Sequence, residues 1–119
     1  MTYLNVITDA PKQEHTFVLP DGRKVDFLLE HRENQSGWFY SVSVDTPSGR
    51  WRAENRRLVT HPNMLRAFSR IIRFGIACVT EDNNEPIFIS DFVMGRASLY
   101  LLDEPDVAGV EEIIGTYEV

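Results

Sequence analysis

Three side chains in this sequence have the types that a nucleophilic site needs: a cysteine nucleophile, a histidine base and an aspartate to orient the base. They are Cys78, His61 and Asp91. Cys78, however, lies within the apolar run 76–79, where burial suppresses the reactive thiolate. The histidines, His15, His31 and His61, do not occur at metal-ligand spacing, and the sequence has no glycine-rich phosphate loop. The sequence therefore predicts a protein that is not an enzyme and that holds no cofactor or metal.

Aromatic and basic residues that lie close together in the sequence indicate a second kind of chemistry, the stacking of nucleic-acid bases beside phosphate-binding arginines. These residues are Trp38, Phe39, Tyr40, Trp51, Arg50, Arg52, Arg56 and Arg57. In a strand, however, Trp38 and Tyr40 share one face with Val42 and Val44, which leaves Phe39 beside the arginines. The net charge of −6 also repels phosphate at long range. A small β-barrel module that binds single-stranded nucleic acid or a peptide is thus the alternative function, with nucleic acid the less favoured ligand.

Charge is distributed unevenly along the chain. Seven arginines fall between residues 50 and 73, with Glu54 as the one acidic residue among them: Arg50, Arg52, Arg56, Arg57, Arg66, Arg70 and Arg73. From residue 81 onward, ten carboxylates accompany only Arg96. Such asymmetry favours a subunit whose basic side meets an acidic neighbour, and a homo-oligomer is one such arrangement. The alternative is that two solvated faces partly neutralise each other in the folded chain.

The length of 119 residues is typical of one domain. We predict a single domain over residues 1–119, with its core at about 14–103 and terminal extensions at 1–12 and 104–119. One cysteine excludes an internal disulfide, so stability must come from packing. Residues 1–7 lack the features of a signal peptide, and no apolar run reaches the roughly 20 residues that span a bilayer. We expect a soluble protein made in the cytosol, with no membrane partner.

An Asp-Gly dipeptide divides the β-prone segment 14–30 and predicts a hairpin. Two registers fit the sequence. A two-residue loop would pair Val18 with Val25, whereas a loop with a glycine bulge would pair Phe17 with Phe27. The bulged register is favoured because it places the apolar residues of both strands on one face.

A second hairpin is predicted from strict alternation over residues 38–45, a turn at 46–49 and another alternating run. Closing this hairpin predicts three facing pairs: Val44 with Trp51, Val42 with Ala53 and Tyr40 with Asn55. Both tryptophans then belong to the core. The opposite, outward face would carry Phe39, Arg52, Glu54 and Arg56.

Apolar residues recur at helical spacing over residues 60–72 and predict a short amphipathic helix. Thr60 or His61 would cap it. Its polar face would align Arg66, Arg70 and Arg73.

Further strands are predicted at 74–80, 87–90 and 96–102, the last ended by the proline that follows. Residues 107–119 admit three interpretations: a strand, a short helix at about 109–114, or a segment ordered only by a partner. The fold class is mainly β, a single small antiparallel β-barrel or sandwich of about six or seven strands with one short helix.

Several short motifs over about residues 14–103 occur in a characteristic order. They are Phe17-Val18-Leu19-Pro20-Asp21-Gly22, Gly37-Trp38-Phe39-Tyr40-Ser41-Val42, Leu58-Val59, Asn63-Met64-Leu65-Arg66, Phe74-Gly75-Ile76, Asp91-Phe92-Val93-Met94-Gly95-Arg96 and Leu99-Tyr100-Leu101-Leu102. This order resembles the baseplate plug proteins of contractile-tailed phages, a family named for a cyanophage baseplate plug. The sequence departs from the family where Asn55-Arg56-Arg57 and His61-Pro62 stand in place of flanking glycines.

The resemblance implies a structural, non-enzymatic virion component that is made in the host cytoplasm and lies near the centre of the tail baseplate of a phage or prophage. Its partners would be hub, spike or tube proteins. As assembly contacts we predict a basic set, with Phe39 as an exposed anchor, and an acidic set in the tail. The basic set is Arg52, Arg56, Arg57, Arg66 and Arg70, and the acidic set is Asp103, Glu104, Asp106, Glu111 and Glu112.

Overall fold

The computed structural model describes residues 1–118, with side chains described for residues 1–113. Its seven strands are β1 (Thr2–Tyr3), β2 (Lys12–Val18), β3 (Lys24–Arg32), β4 (Gly37–Thr46), β5 (Gly49–Arg57), β6 (Gly75–Thr80) and β7 (Ala97–Leu102). Two antiparallel sheets result, one of order β2-β3-β4-β5 and one of order β1-β7-β6. Within the described residues the sheets do not close into a barrel. The fold is mainly β and sandwich-like, which confirms the predicted fold class.

Two α-helices and two 3₁₀ turns complete the fold. The helices are α1 (Ser69–Ile72) and α2 (Glu104–Glu118), and the 3₁₀ turns are Glu33–Gln35 and Arg66–Phe68. One core lies between the sheets and contains side chains of both. Ala77 and Leu102 lie on the opposite face of the three-stranded sheet and pack against Val107 of α2. The layers are therefore the four-stranded sheet, the three-stranded sheet and α2.

The hairpin of β2 and β3 has the predicted buried face but a different register. Phe17 lies opposite Val25, so both predicted registers are wrong, the favoured one by two residues. In the observed turn Leu19 pairs with Arg23, the N–H of Gly22 donates to the oxygen of Leu19, and Gly22 takes a φ of 90°. Because side chains alternate with a period of two, a shift of two residues leaves every side chain on its predicted face. Leu19 is accordingly buried.

The hairpin of β4 and β5 has two of its three predicted pairs, Val44 with Trp51 and Val42 with Ala53. The third prediction is wrong, because a bulge at Asn55 places Arg56 opposite Tyr40. Asn55 adopts a left-handed φ of 55°, a conformation that asparagine tolerates better than most residues. Beyond the bulge, the two faces of β5 are exchanged relative to the prediction.

The predicted helix over residues 60–72 is wrong for its first half. His61 forms an antiparallel bridge with Cys78, so the chain is extended there and joins the edge of β6. Neither Thr60 nor His61 caps a helix; the side-chain oxygen of Asn63 instead accepts the N–H of Leu65 at 3.0 Å. Helical structure begins only at the 3₁₀ turn Arg66–Phe68.

The predicted strand at 87–90 is also absent, since residues 87–95 form loop and turns in the structure. Of the three interpretations of the tail, the helical one is correct, although the helix starts earlier, at Glu104. Asp103 and Asp106 stabilise this start: the carboxylate of each accepts the backbone N–H of the other, at 3.0 and 3.3 Å. This reciprocal arrangement is a capping box.

Candidate assembly surface

The three residues considered for nucleophilic chemistry do not form a site. His61 and Cys78 are neighbours, because the backbone N–H of each donates to the carbonyl oxygen of the other at 3.0 Å. The Cys78 side chain is only 1% exposed, and burial raises the pKa of its thiol to about 12. The His61 Nδ1 atom accepts the N–H of Asn63, and the Asp91 carboxylate binds Arg96. No hydrogen bond joins the side chains of His61, Cys78 and Asp91 in the described part of the chain.

The described residues contain no group of three or more histidine, cysteine, aspartate or glutamate side chains that could hold a metal ion. No helix among them is long and apolar enough to cross a membrane.

Phe39 lies on the outward face of the four-stranded sheet, as predicted, and is half-buried. The guanidinium carbons of Arg32 and Arg57 lie 4.5 and 5.6 Å from the centre of its ring. These two cation–π contacts cover part of the Phe39 ring and hold it in place on the sheet. Phe39 stays a predicted anchor for a partner.

Arg57 is bound within the chain. Its guanidinium donates to the carboxylate of Glu85 at 2.8 Å and to the carbonyl oxygens of Gln35 and Ser36 at 3.1 and 3.0 Å. Gly37 leaves room for it, since a Cβ atom there would lie 2.9 Å from the guanidinium. Arg57 therefore joins two loops to the sheet, and little of its bonding capacity is left for a partner.

Arg52 projects from the same outward face and is more exposed than Arg57. Its Nη1 atom lies 3.8 Å from a carboxylate oxygen of Glu54. It borders a hollow of about 440 Å³ with polar walls that include Thr16, Ser41 and Ser43. Arg50 lines the same hollow, but its guanidinium is paired with Asp26 and Asp45. Arg52 is thus the more exposed of the two arginines that line this mixed polar hollow.

Arg56 is not beside Phe39, in contrast to the prediction. The bulge at Asn55 turns Arg56 to the other face, where its guanidinium carbon lies 4.8 Å from the centre of the Phe68 ring. Phe68 in turn packs against Trp51, with ring centres 5.0 Å apart. The three predicted arginines of β5 are consequently divided between two faces of the sheet, with Arg56 on the face opposite to Arg52 and Arg57.

The rings considered as a base-stacking platform are used in packing. Trp38 has no exposed surface and Tyr40 is also buried, while Trp51 is half-buried against Phe68. Phe39 is the one member of the group that faces outward. These four rings therefore do not form a row of exposed rings along a basic groove, which single-stranded nucleic acid would require.

The predicted basic and acidic sets meet in the fold. The Arg66 Nε atom lies 2.7 Å from a carboxylate oxygen of Glu111. Arg70 and Glu104 line one cleft between α1 and α2, together with Arg73. At this place the two charged segments partly neutralise each other within the chain, as in the alternative interpretation of the charge pattern. Arg70, Glu104 and Glu112 remain exposed.

An exposed apolar segment was missed by the sequence analysis. Residues 87–94, which we term the apolar loop, expose Phe88 by 60% and Met94 by 76%, and Ile87, Ile89 and Val93 are exposed as well. The apolar residues in 87–90 predict a strand, and nothing in their pattern shows which side chains face solvent. The motif Asp91 to Arg96 lies in the same region.

The comparisons with known proteins give one finding. A family model described as "Cyanophage baseplate Pam3 plug gp18" matches residues 1–104. The match contains all seven strands and the apolar loop, and it ends at the first residue of α2. No curated protein matches the chain.

Proposed function

Because this chain belongs to the family of cyanophage baseplate plug proteins, we propose that it is a plug-like structural subunit of a contractile-tail baseplate, in a phage or prophage. It is non-enzymatic, it is made in the host cytoplasm and assembled into the virion tail, and it contacts hub, spike or tube proteins. The observation that carries the proposal is the family match over residues 1–104, which includes both sheets.

The surfaces agree with a role in assembly. The buried thiol of Cys78 and the dispersed candidates for acid and base chemistry give no support to catalysis, whereas charged and apolar side chains are exposed on several faces. Of the predicted contact residues, Arg52 on the sheet and Arg70 on α1 are the arginines most available to a partner. The acidic set would contribute chiefly through Glu104 and Glu112.

The proposal is tested in cells that produce the tail, with the gene for this chain deleted and then restored on a plasmid. We expect the chain to copurify with tails in a fixed ratio to the other baseplate proteins, and tails from the deletion to have an incomplete baseplate in electron micrographs. Tails that are complete and infective without the chain would contradict the proposal. Binding of a single-stranded oligonucleotide at low salt would support the alternative function.

Charge reversal then tests the predicted contact residues. The double variant Arg52→Glu and Arg70→Glu should be incorporated less well than the wild type, because both side chains are exposed and would meet an acidic partner surface. Lys24→Glu is the matched control, since Lys24 is also exposed and is outside the predicted set. Equal incorporation of the double variant and the control would remove these two arginines from the interface.

A further inference from the structure

The apolar loop is an unusual surface for a small soluble domain. Its exposed side chains, Ile87, Phe88, Ile89, Val93 and Met94, occur within eight consecutive residues. Large apolar side chains that are exposed as a group, and not singly, mark sites of interaction. Aromatic residues and methionine are also the residue types enriched in protein interfaces. The loop therefore has the composition of a docking surface.

The backbone of the loop is held by one buried carboxylate. The Oδ2 atom of Asp91 accepts the N–H groups of Ile87 and Phe88 at 2.8 and 2.9 Å, and it also accepts a hydrogen bond from Arg96 at 2.8 Å. The N–H of Met94 donates to the oxygen of Ser90 at 2.9 Å and closes the following turn. The loop is thus organised before any partner binds, which lowers the entropic cost of association.

The loop is also attached to the core. The indole N–H of Trp38 donates to the oxygen of Phe88 at 3.1 Å, and a ring nitrogen of His31 lies 2.9 Å from the oxygen of Ile87. Phe92 is buried and packs edge-on against Trp38, with ring centres 5.3 Å apart. Phe92 consequently holds the loop from within, while Phe88 and Met94 are left exposed.

The charges around the loop indicate the chemistry of its partner. Segment 81–96 holds four carboxylates and one arginine, Arg96. Asp82 and Asp91 bind Arg96, and Glu85 binds Arg57, which leaves Glu81 as the exposed carboxylate without an ion pair among the described residues. The net negative charge that results disfavours anionic membranes and nucleic acid. It also disfavours a symmetric contact between two copies, in which like charges would face each other. A protein surface with basic side chains around an apolar pocket is complementary to it.

On these grounds, and resting on the proposed function, we infer that the apolar loop is a preformed anchor that inserts into an apolar pocket edged by lysine or arginine on another baseplate protein. Phe88 and Met94 are the residues that enter the pocket. Glu81, which is exposed and makes no ion pair among the described residues, faces the basic edge.

The test is a competition for incorporation into tails. Wild-type and variant chains are expressed together in the deletion strain, and quantitative mass spectrometry gives their ratio in the soluble lysate and in purified tails. We expect Phe88→Ser and Met94→Ser each to lower the ratio in tails at least about tenfold, as for central interface residues. Val18→Ser is the matched control, because Val18 is an apolar residue exposed by 62% on β2, outside the apolar loop. It should leave the ratio unchanged.

Charge and crosslinking identify the partner. Glu81→Lys should lower incorporation about threefold, whereas Glu14→Lys, an exposed control on β2, should not. A photo-crosslinking residue in place of Met94 should react with a different baseplate protein, next to lysine or arginine. Crosslinks to a second copy, to lipid or to nothing would overturn the inference.

The results separate this inference from the proposed function. Absence of the wild-type chain from purified tails would refute the proposed function. If the wild type is present and the serine variants are incorporated equally well, the proposed function stands and the apolar loop is not the anchor. Thermal unfolding of each purified variant verifies that lost incorporation is not lost folding; where Phe88→Ser is destabilised, the more exposed Met94→Ser decides.

Discussion

The indole N–H of Trp38 donates to the carbonyl oxygen of Phe88, 3.1 Å away and 50 residues later in the chain. Trp38 has no exposed surface, whereas Phe88 is 60% exposed. One hydrogen bond therefore connects a buried side chain of the four-stranded sheet with the apolar loop. The tryptophan packs the core and also supports the loop that we infer to be the anchor.

We predict that replacing Trp38 acts on both the core and the loop. Trp38→Ala should lower the free energy of unfolding by about 3–5 kcal/mol, the usual cost of deleting a large buried ring. Trp38→Phe retains much of the packing but leaves the oxygen of Phe88 without its donor, at a cost of about 1–3 kcal/mol. Urea denaturation measures both losses of stability. Hydrogen exchange of the backbone amides of residues 87–94 should be faster in both variants than in the wild type.

Trp51→Phe is the control for this prediction, because Trp51 is half-buried on β5, away from the apolar loop. Trp51→Phe should lower the free energy of unfolding by less than Trp38→Phe does, and it should leave amide exchange in the apolar loop unchanged. If Trp38→Ala is as stable as the wild type, Trp38 is not a core residue. If Trp38→Phe leaves loop exchange unchanged, the hydrogen bond does not support the loop.

A second prediction concerns the contact between Asn63 and Gly75. The side chain of Asn63 occupies the place where a Cβ atom of residue 75 would be. Gly75→Ala would displace that side chain and break its hydrogen bond to the N–H of Leu65. We expect a loss of about 2 kcal/mol or more in the free energy of unfolding, measured by urea denaturation.

Gly109→Ala is the matched control, since nothing lies within 4 Å of a Cβ atom there and Gly109 is exposed in α2. It should stabilise the protein by about 0.5–1 kcal/mol, because alanine favours helix. Adding Asn63→Ala to Gly75→Ala should relieve the clash, so the double variant should be more stable than the two single losses predict. Equal effects of Gly75→Ala and Gly109→Ala would refute the contact.

The faces of the sheet could be predicted because alternation has a period of two. The burial of Trp38, Tyr40 and Val42 follows from it, and Phe17 retains its face although its partner in β3 is shifted by two residues. The bulge at Asn55 was not predictable from alternation, since one additional residue exchanges the faces beyond it. For that reason Arg57, and not Arg56, lies beside Phe39.

Contacts between distant segments account for the remaining errors. Residues 87–89 have the composition of a strand, but the Asp91 carboxylate takes the N–H groups that a neighbouring strand would need. His61 is extended because Cys78 pairs with it, and no local pattern reveals this partner. The pairing of Arg66 with Glu111 likewise depends on where α2 packs. The capping box of Asp103 and Asp106 is a local signal, but Pro105 between them is equally compatible with the end of a strand, so the local sequence does not decide where a helix starts.

A third prediction concerns the reactivity of Cys78. The thiol is 1% exposed and burial raises its pKa to about 12, so the thiolate fraction at pH 8 is on the order of one in 10,000. Ellman's reagent should therefore not react with the native protein, and it should react with one thiol per chain in concentrated urea. As a control, Val79→Cys in a Cys78→Ala background places a thiol at an exposed neighbouring position and should react without urea. Rapid labelling of native Cys78 would show that the thiol is accessible.

The last prediction concerns pH. Burial lowers the pKa of His15 below its usual value of 6.5, and the ring lies 2.8 Å from the side-chain oxygen of Gln13. As the pH falls through 6.5, the unfolded chain takes up a proton at His15 before the folded chain does, so this residue contributes a loss of stability on acidification. The loss begins near pH 7 and ends once the pH is below the pKa of the folded state. His15→Gln should remove this contribution, and urea denaturation between pH 7.5 and about 5 should then give a flatter profile than that of the wild type. Identical profiles for the two proteins would mean that the pKa of His15 is the same in the folded and unfolded states.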